Sequence, residues 1–124
     1  MIKLLIFLFS ALMVVFLHSV HAQSSALLMG KERKVLVMVE KLPEVVKREQ
    51  YVEKMTKGKR HLMFYISEKP TKKQGNFWVK VAEDNGASYF THFNFAVNPN
   101  SYVIKYYDTI TGNLISLKAW RNQK

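Results

Sequence analysis

Cysteine is absent from the 124-residue chain, which excludes a disulfide framework, a thiol nucleophile and thiolate metal ligation. Acids are scarce: nine against nineteen Lys and Arg, a net charge of +10. Internal repeats, low-complexity tracts and catalytic signatures are missing, so no catalytic residue, metal ligand set or cofactor is assigned. The longest apolar run, Leu4 to Leu17, is about 14 residues, short of the ~20 that a bilayer-spanning helix needs. No stable membrane anchor is expected from it.

That run follows Lys3 and precedes Val20-His21-Ala22, with small residues at −3 and −1 of a cut site and polar Gln23-Ser24-Ser25 beyond. A charged start, a short apolar core and such a site describe a secretory signal peptide over 1–22. The mature chain is then a single domain over 23–124, exported to a periplasm or the exterior. Export removes it from most nucleic acid, and the glycine-aromatic motif of RNA-binding sheets is missing. Nucleic acid is therefore not an expected partner.

The positive charge is uneven. Lys41 to Lys73 holds ten basic and four acidic residues, whereas Gln74 to Asn100 has Lys80 against Glu83 and Asp84. A field of this kind steers acidic partners in a salt-sensitive way. The second half of the chain holds most of the aromatics.

Gln23 to Gly30 reads as a loosely ordered leader. In Lys31 to Leu42, Val35, Leu36, Val39 and Leu42 suit a helix, but Val35-Leu36-Val37-Met38-Val39 is β-branched enough to suit a strand. Pro43 opens a helix over about 43–57, with Glu44 and Glu49 in its N-terminal half, an apolar stripe of Val45, Val46, Val52 and Met55, and Gly58 as its stop. Period-two segments follow at His61 to Ile66, Phe77 to Glu83, Tyr89 to Val97 and Tyr102 to Asp108, parted by turn residues. Leu114 to Arg121 is either a fifth short strand or a helical turn begun at Ser116. The expected fold is α+β, one or two helices across a curved antiparallel sheet of four or five strands.

Alternation divides the strands into two faces. Leu62, Phe64, Ile66, Phe77, Val79, Val81, Tyr89, Thr91, Phe93, Phe95, Val97, Ile104 and Tyr106 form an apolar face expected to meet the helix. His61, Met63, Tyr65, Trp78, Lys80, Phe90, His92, Asn94, Val103, Lys105 and Tyr107 form a mixed one. A three-residue loop at Asp84-Asn85-Gly86, with Glu83 opposite Ala87, keeps the faces separate by pairing Phe77 with Phe93 and Trp78 with His92.

A solvated sheet face is usually Thr, Lys, Glu and Ser, so its aromatics call for a cover. The N-terminal segment, Leu114 to Trp120 or a second copy of the chain, as a homodimer, can supply it. The functional alternative is a platform for a protein partner or small ligand of the envelope, with Tyr65, Trp78, Lys80, Phe90, His92 and Tyr107 as its binding residues. Two histidines fall short of the three or four ligands of a usual metal site. Other readings are a ligand carrier or enzyme with a helix-sheet pocket using His92 or Asp108, and a basic module binding envelope polyanions.

A helix followed by four strands and Tyr107-Asp108-Thr109-Ile110-Thr111-Gly112-Asn113-Leu114-Ile115 resembles small secreted PepSY-like domains over Pro43 to Ile115. That resemblance implies binding and inhibition of peptidases, or envelope sensing. With Lys34 to Val39 as a first strand, the order is also similar to the cystatin fold. The connections Lys69-Pro70-Thr71-Lys72-Lys73-Gln74-Gly75 and Asn98-Pro99-Asn100 depart from the Gln-x-Val-x-Gly and Pro-Trp loops with which cystatins enter a protease cleft.

Overall fold

A computed structural model describes residues 26–123; the signal peptide expected over 1–22 lies outside them. By its internal contacts the chain divides into two units, 1–31 and 32–124. The first is represented by helical residues 26–31, and the following description concerns the second.

Helix α1 of this unit covers residues 32–40. Its valines accept helical geometry because Val35 and Val39, one turn apart, are both fully buried; burial of a Val side chain is worth about 1.5–3 kcal/mol, more than its few-tenths helix penalty. Lys34 to Val39 is thus helical, and the strand alternative does not occur. Helix α2, Pro43–Met55, starts with Pro at its first turn, has Glu44 near its positive end and Lys54 near its negative end. Val45 and Val52 are buried, but Val46 and Met55 stay 41% and 63% exposed, so only half of the expected stripe faces inward. The chain leaves α2 through Lys57 and Gly58, both at positive φ.

Five strands form one antiparallel meander, β1 Leu62–Glu68, β2 Phe77–Asp84, β3 Tyr89–Val97, β4 Ile104–Asp108 and β5 Asn113–Ser116, in chain order across the sheet. The last segment is both things expected of it in turn. After β5, Ser116 caps helix α3, Leu117–Arg121, its hydroxyl accepting from the Ala119 amide at 3.0 Å. The class is α+β, with the helices on one side of an open sheet.

The core lies between that side and the helices. Phe77, Val79, Val81, Phe95 and Val97 are fully buried with Val35, Val39 and Val45. Trp120 of α3 closes one end, stacked on Tyr106 at 4.3 Å and edge-on to Phe93 and Phe95. The C-terminal segment therefore covers the apolar face and not the mixed one.

The β2–β3 hairpin departs from both the expected loop and the expected register. Asp84 pairs with Tyr89 and Phe77 with Val97, leaving the four-residue loop Asn85-Gly86-Ala87-Ser88. Asp84 Oδ1 accepts from the Gly86 amide, and Asn85 Oδ1 from those of Ala87 and Ser88. These side-chain bonds replace the backbone pairing a shorter loop would make, while Gly86 supplies the positive φ of 89°.

Candidate functional site

The face turned away from the helices carries four of the six expected binding residues. Tyr65 pairs with Lys80, Lys80 with Asn94, Trp78 with Ala96 and Ala96 with Lys105. Trp78 on β2 and Tyr107 on β4 are two strands apart, yet their rings meet edge to face at 5.5 Å. Ala96 on the intervening strand makes this geometry accessible: its methyl leaves room for the rings, and it is only 2% exposed.

The Trp78 ring is anchored at its polar edge. Its indole N–H donates to Gln74 Oε1 at 3.1 Å. Gln74 also accepts from the Asn76 amide and donates to the carbonyls of Lys69 and Asn76. The β1–β2 connection thus holds the indole in place, and a ring ordered in advance loses less entropy on binding. Among the described residues, the hydrophobic cluster containing the helices includes none from this face.

Phe90 and His92 are not on it. Val81 pairs with Phe93 and Ala82 with Thr91, so His92 is an extra residue that bulges β3. A bulge shifts the alternation of everything beyond it. Phe90 now pairs with Glu83, on the helix side, while Tyr89 and Thr91 move to the other face, Tyr89 60% exposed. His92 Nε2 reaches Glu83 Oε1 at 3.0 Å, and its ring meets that of Phe90 at 4.9 Å.

The second histidine is elsewhere again. His61 Nδ1 lies 2.9 Å from Oε1 of Glu49 on α2, whose other oxygen accepts from the Leu62 amide at 2.6 Å. The Glu49 hydrogen bond raises the His61 pKa against a smaller desolvation effect. Neither histidine belongs to the mixed face, and no group of three metal-ligating side chains occurs among the described residues.

Asp108 belongs to a turn. Its carboxylate accepts from the Ile110 amide at 3.0 Å and the Thr111 hydroxyl at 2.9 Å, which lowers its pKa, while Gly112 completes the turn at φ 74°. This accounts for the Asp-Thr-Ile-Thr-Gly motif by local bonding. The Tyr106 phenol is pushed up, first by burial and then by the Asp108 charge.

No family model matches the chain, and neither does a curated protein or a solved structure. Among the described residues no helix is long and apolar enough to cross a membrane.

On the helix side an open groove of about 1020 Å³ runs between α2 and the sheet, lined by Arg48, Tyr51, His92, Phe93, Tyr106 and Trp120 among others. Arg48 lies between two rings, its guanidinium carbon 5.8 Å from the centre of Tyr51 and 5.7 Å from that of Phe93. A helix-sheet pocket with His92 or Asp108 as its polar group is one of the readings the sequence offers; the groove includes His92 but not Asp108, and its Arg48, Tyr51 and Trp120 lining depends on the packing of α2 and α3 over β3, which patterning does not disclose. The spacing of Arg48 and Tyr51, three apart on a helix, was the one local signal available.

Proposed function

We propose that the mature chain is a small exported, non-catalytic binding domain that docks a protein partner, such as a peptidase, on the sheet face opposite its helices. The observation that carries this reading is the Trp78–Tyr107 pair, 5.5 Å apart over the buried Ala96, on a face outside the hydrophobic cluster of the helices. Trp and Tyr are the side chains on which interface energy concentrates, because each removes a large, rigid surface from water. Lys80 and Lys105 flank the pair and would favour an acidic rim on the partner, acting more on the rate of encounter than on final affinity.

The PepSY-like resemblance supports this reading through its association with peptidase binding. The partner rather than the chain would then supply any chemistry.

The test is site-specific photo-crosslinking of the processed protein in its own compartment, with the crosslinker placed at Tyr65 on the face and, separately, at Lys73 in the β1–β2 connection. A discrete adduct from position 65 that is absent from position 73 and lost with Trp78→Ala is expected. Adducts unchanged by Trp78→Ala in a folded protein contradict the reading. An adduct with a second copy of the chain makes the partner a homodimer mate.

A further inference from the structure

The charges around the helix-side groove are sorted. Glu44 at its edge is taken by Arg121, whose Nε and second guanidinium nitrogen donate to it at 2.5 and 3.2 Å. Glu83, beyond the bulge, is taken by His92. Between these pairs Arg48 is half-buried, flanked by Tyr51 and Phe93, with no carboxylate partner among the described residues. Lys47 beside it on α2 also lines the groove.

We infer that this groove is a second binding site, distinct from the sheet face, for an acidic peptide segment whose carboxylate meets Arg48 and whose neighbouring apolar side chain lies on the ring wall. A guanidinium fixed between aromatic rings still presents its donor edge, and that edge matches a carboxylate in two-point geometry. The adjoining wall supplies the apolar contact through Tyr51, 56% exposed, and the half-buried Tyr106, which is backed by the buried Trp120 and, behind it, Phe93.

Two observations select a peptide over other anions. The groove is open along one side, bordered by Val46 and Tyr51 at 41% and 56% exposure, whereas a small molecule usually needs a site that buries most of its surface. Arg48 is also recessed between rings, where an extended chain can reach it and a flat lipid surface meets the more exposed Lys47 first.

The test is affinity selection of a random heptapeptide library on the processed protein, with Arg48→Gln, Arg48→Lys and Trp78→Ala in parallel. Each variant is first checked for a wild-type circular dichroism spectrum and melting transition. The expected peptides carry Asp or Glu beside an aromatic or aliphatic residue. Their affinity drops about tenfold in Arg48→Gln, the scale of one charge-assisted contact, recovers only partly in Arg48→Lys, and is unchanged in Trp78→Ala. The inference is overturned if nothing is enriched over Arg48→Gln, if enriched peptides lack acids, or if they depend on Trp78 instead. Co-flotation with phosphatidylglycerol vesicles that is abolished by Arg48→Gln, without peptide enrichment, reassigns the groove to lipid and overturns it equally.

Discussion

His92 Nε2 and Glu83 Oε1 are 3.0 Å apart, although strict alternation along β2 and β3 would put these residues on opposite faces of the sheet. The contact exists because His92 is itself the bulge. It therefore joins a local irregularity to the division of aromatics between the two faces, sending Phe90 to the helix side and leaving Trp78 with Tyr107 on the other.

Removing the imidazole tests the strength of that arrangement. His92 and Glu83 side chains are only 10% and 15% exposed, so His92→Ala leaves a largely buried carboxylate without its partner. A loss of about 1–3 kcal/mol in urea unfolding is expected. Unchanged stability would show that the contact contributes nothing.

The bulge also marks the limit of what the chain discloses by pattern. Tyr89 to Val97 is a strand over just the expected residues, and Phe77, Val79 and Val81 face the helices as alternation required. An even-numbered slip between β2 and β3 leaves that alternation intact, so the register could not be read, and an inserted residue changes faces without changing composition. Hence alternation places Tyr65, Trp78, Lys80 and Tyr107 together, as the structure does, but puts Phe90 and His92 on the side opposite to the one they occupy. Val35 and Val39 were ambiguous for another reason: only tertiary burial outweighs their strand preference.

His61 and Glu49 predict a pH dependence. Because Glu49 raises the folded-state pKa of His61 above 6.5, the pair's contribution is complete below the unfolded value and is lost as pH rises through the folded one. The stability gap between wild type and His61→Gln should therefore narrow from about pH 6.5 upward, as followed by thermal melts across pH. A gap that widens over that range contradicts the sign.

Asn94 is a test of stability exchanged for recognition. Its side-chain carbonyl oxygen is buried without a hydrogen-bond donor among the described residues, on the same face as Trp78. An acceptor left unpaired costs about 1–3 kcal/mol, so Asn94→Leu should keep or raise stability, by up to about 1 kcal/mol in urea unfolding. A marked loss would mean that the amide is structurally required.

Trp120 should behave in the opposite way. It is 6% exposed and contacts Phe93, Phe95 and Tyr106, so Trp120→Ala should destabilise by about 3–5 kcal/mol. Trp120→Phe should retain part of that through the remaining ring contacts. Equal losses from the two substitutions would show that ring stacking adds nothing there.

Trp78 is where folding and binding separate, since its ring is half-buried and lies outside the core cluster. The decisive measurement is the affinity of the crosslinked partner, or of a second copy if that is the partner, for wild type and for Trp78→Ala proteins of matched secondary structure. The account predicts weakening of about thirtyfold or more, the scale of an interface hot spot. Affinities within about twofold, well under 1 kcal/mol, would contradict a docking role for the sheet face.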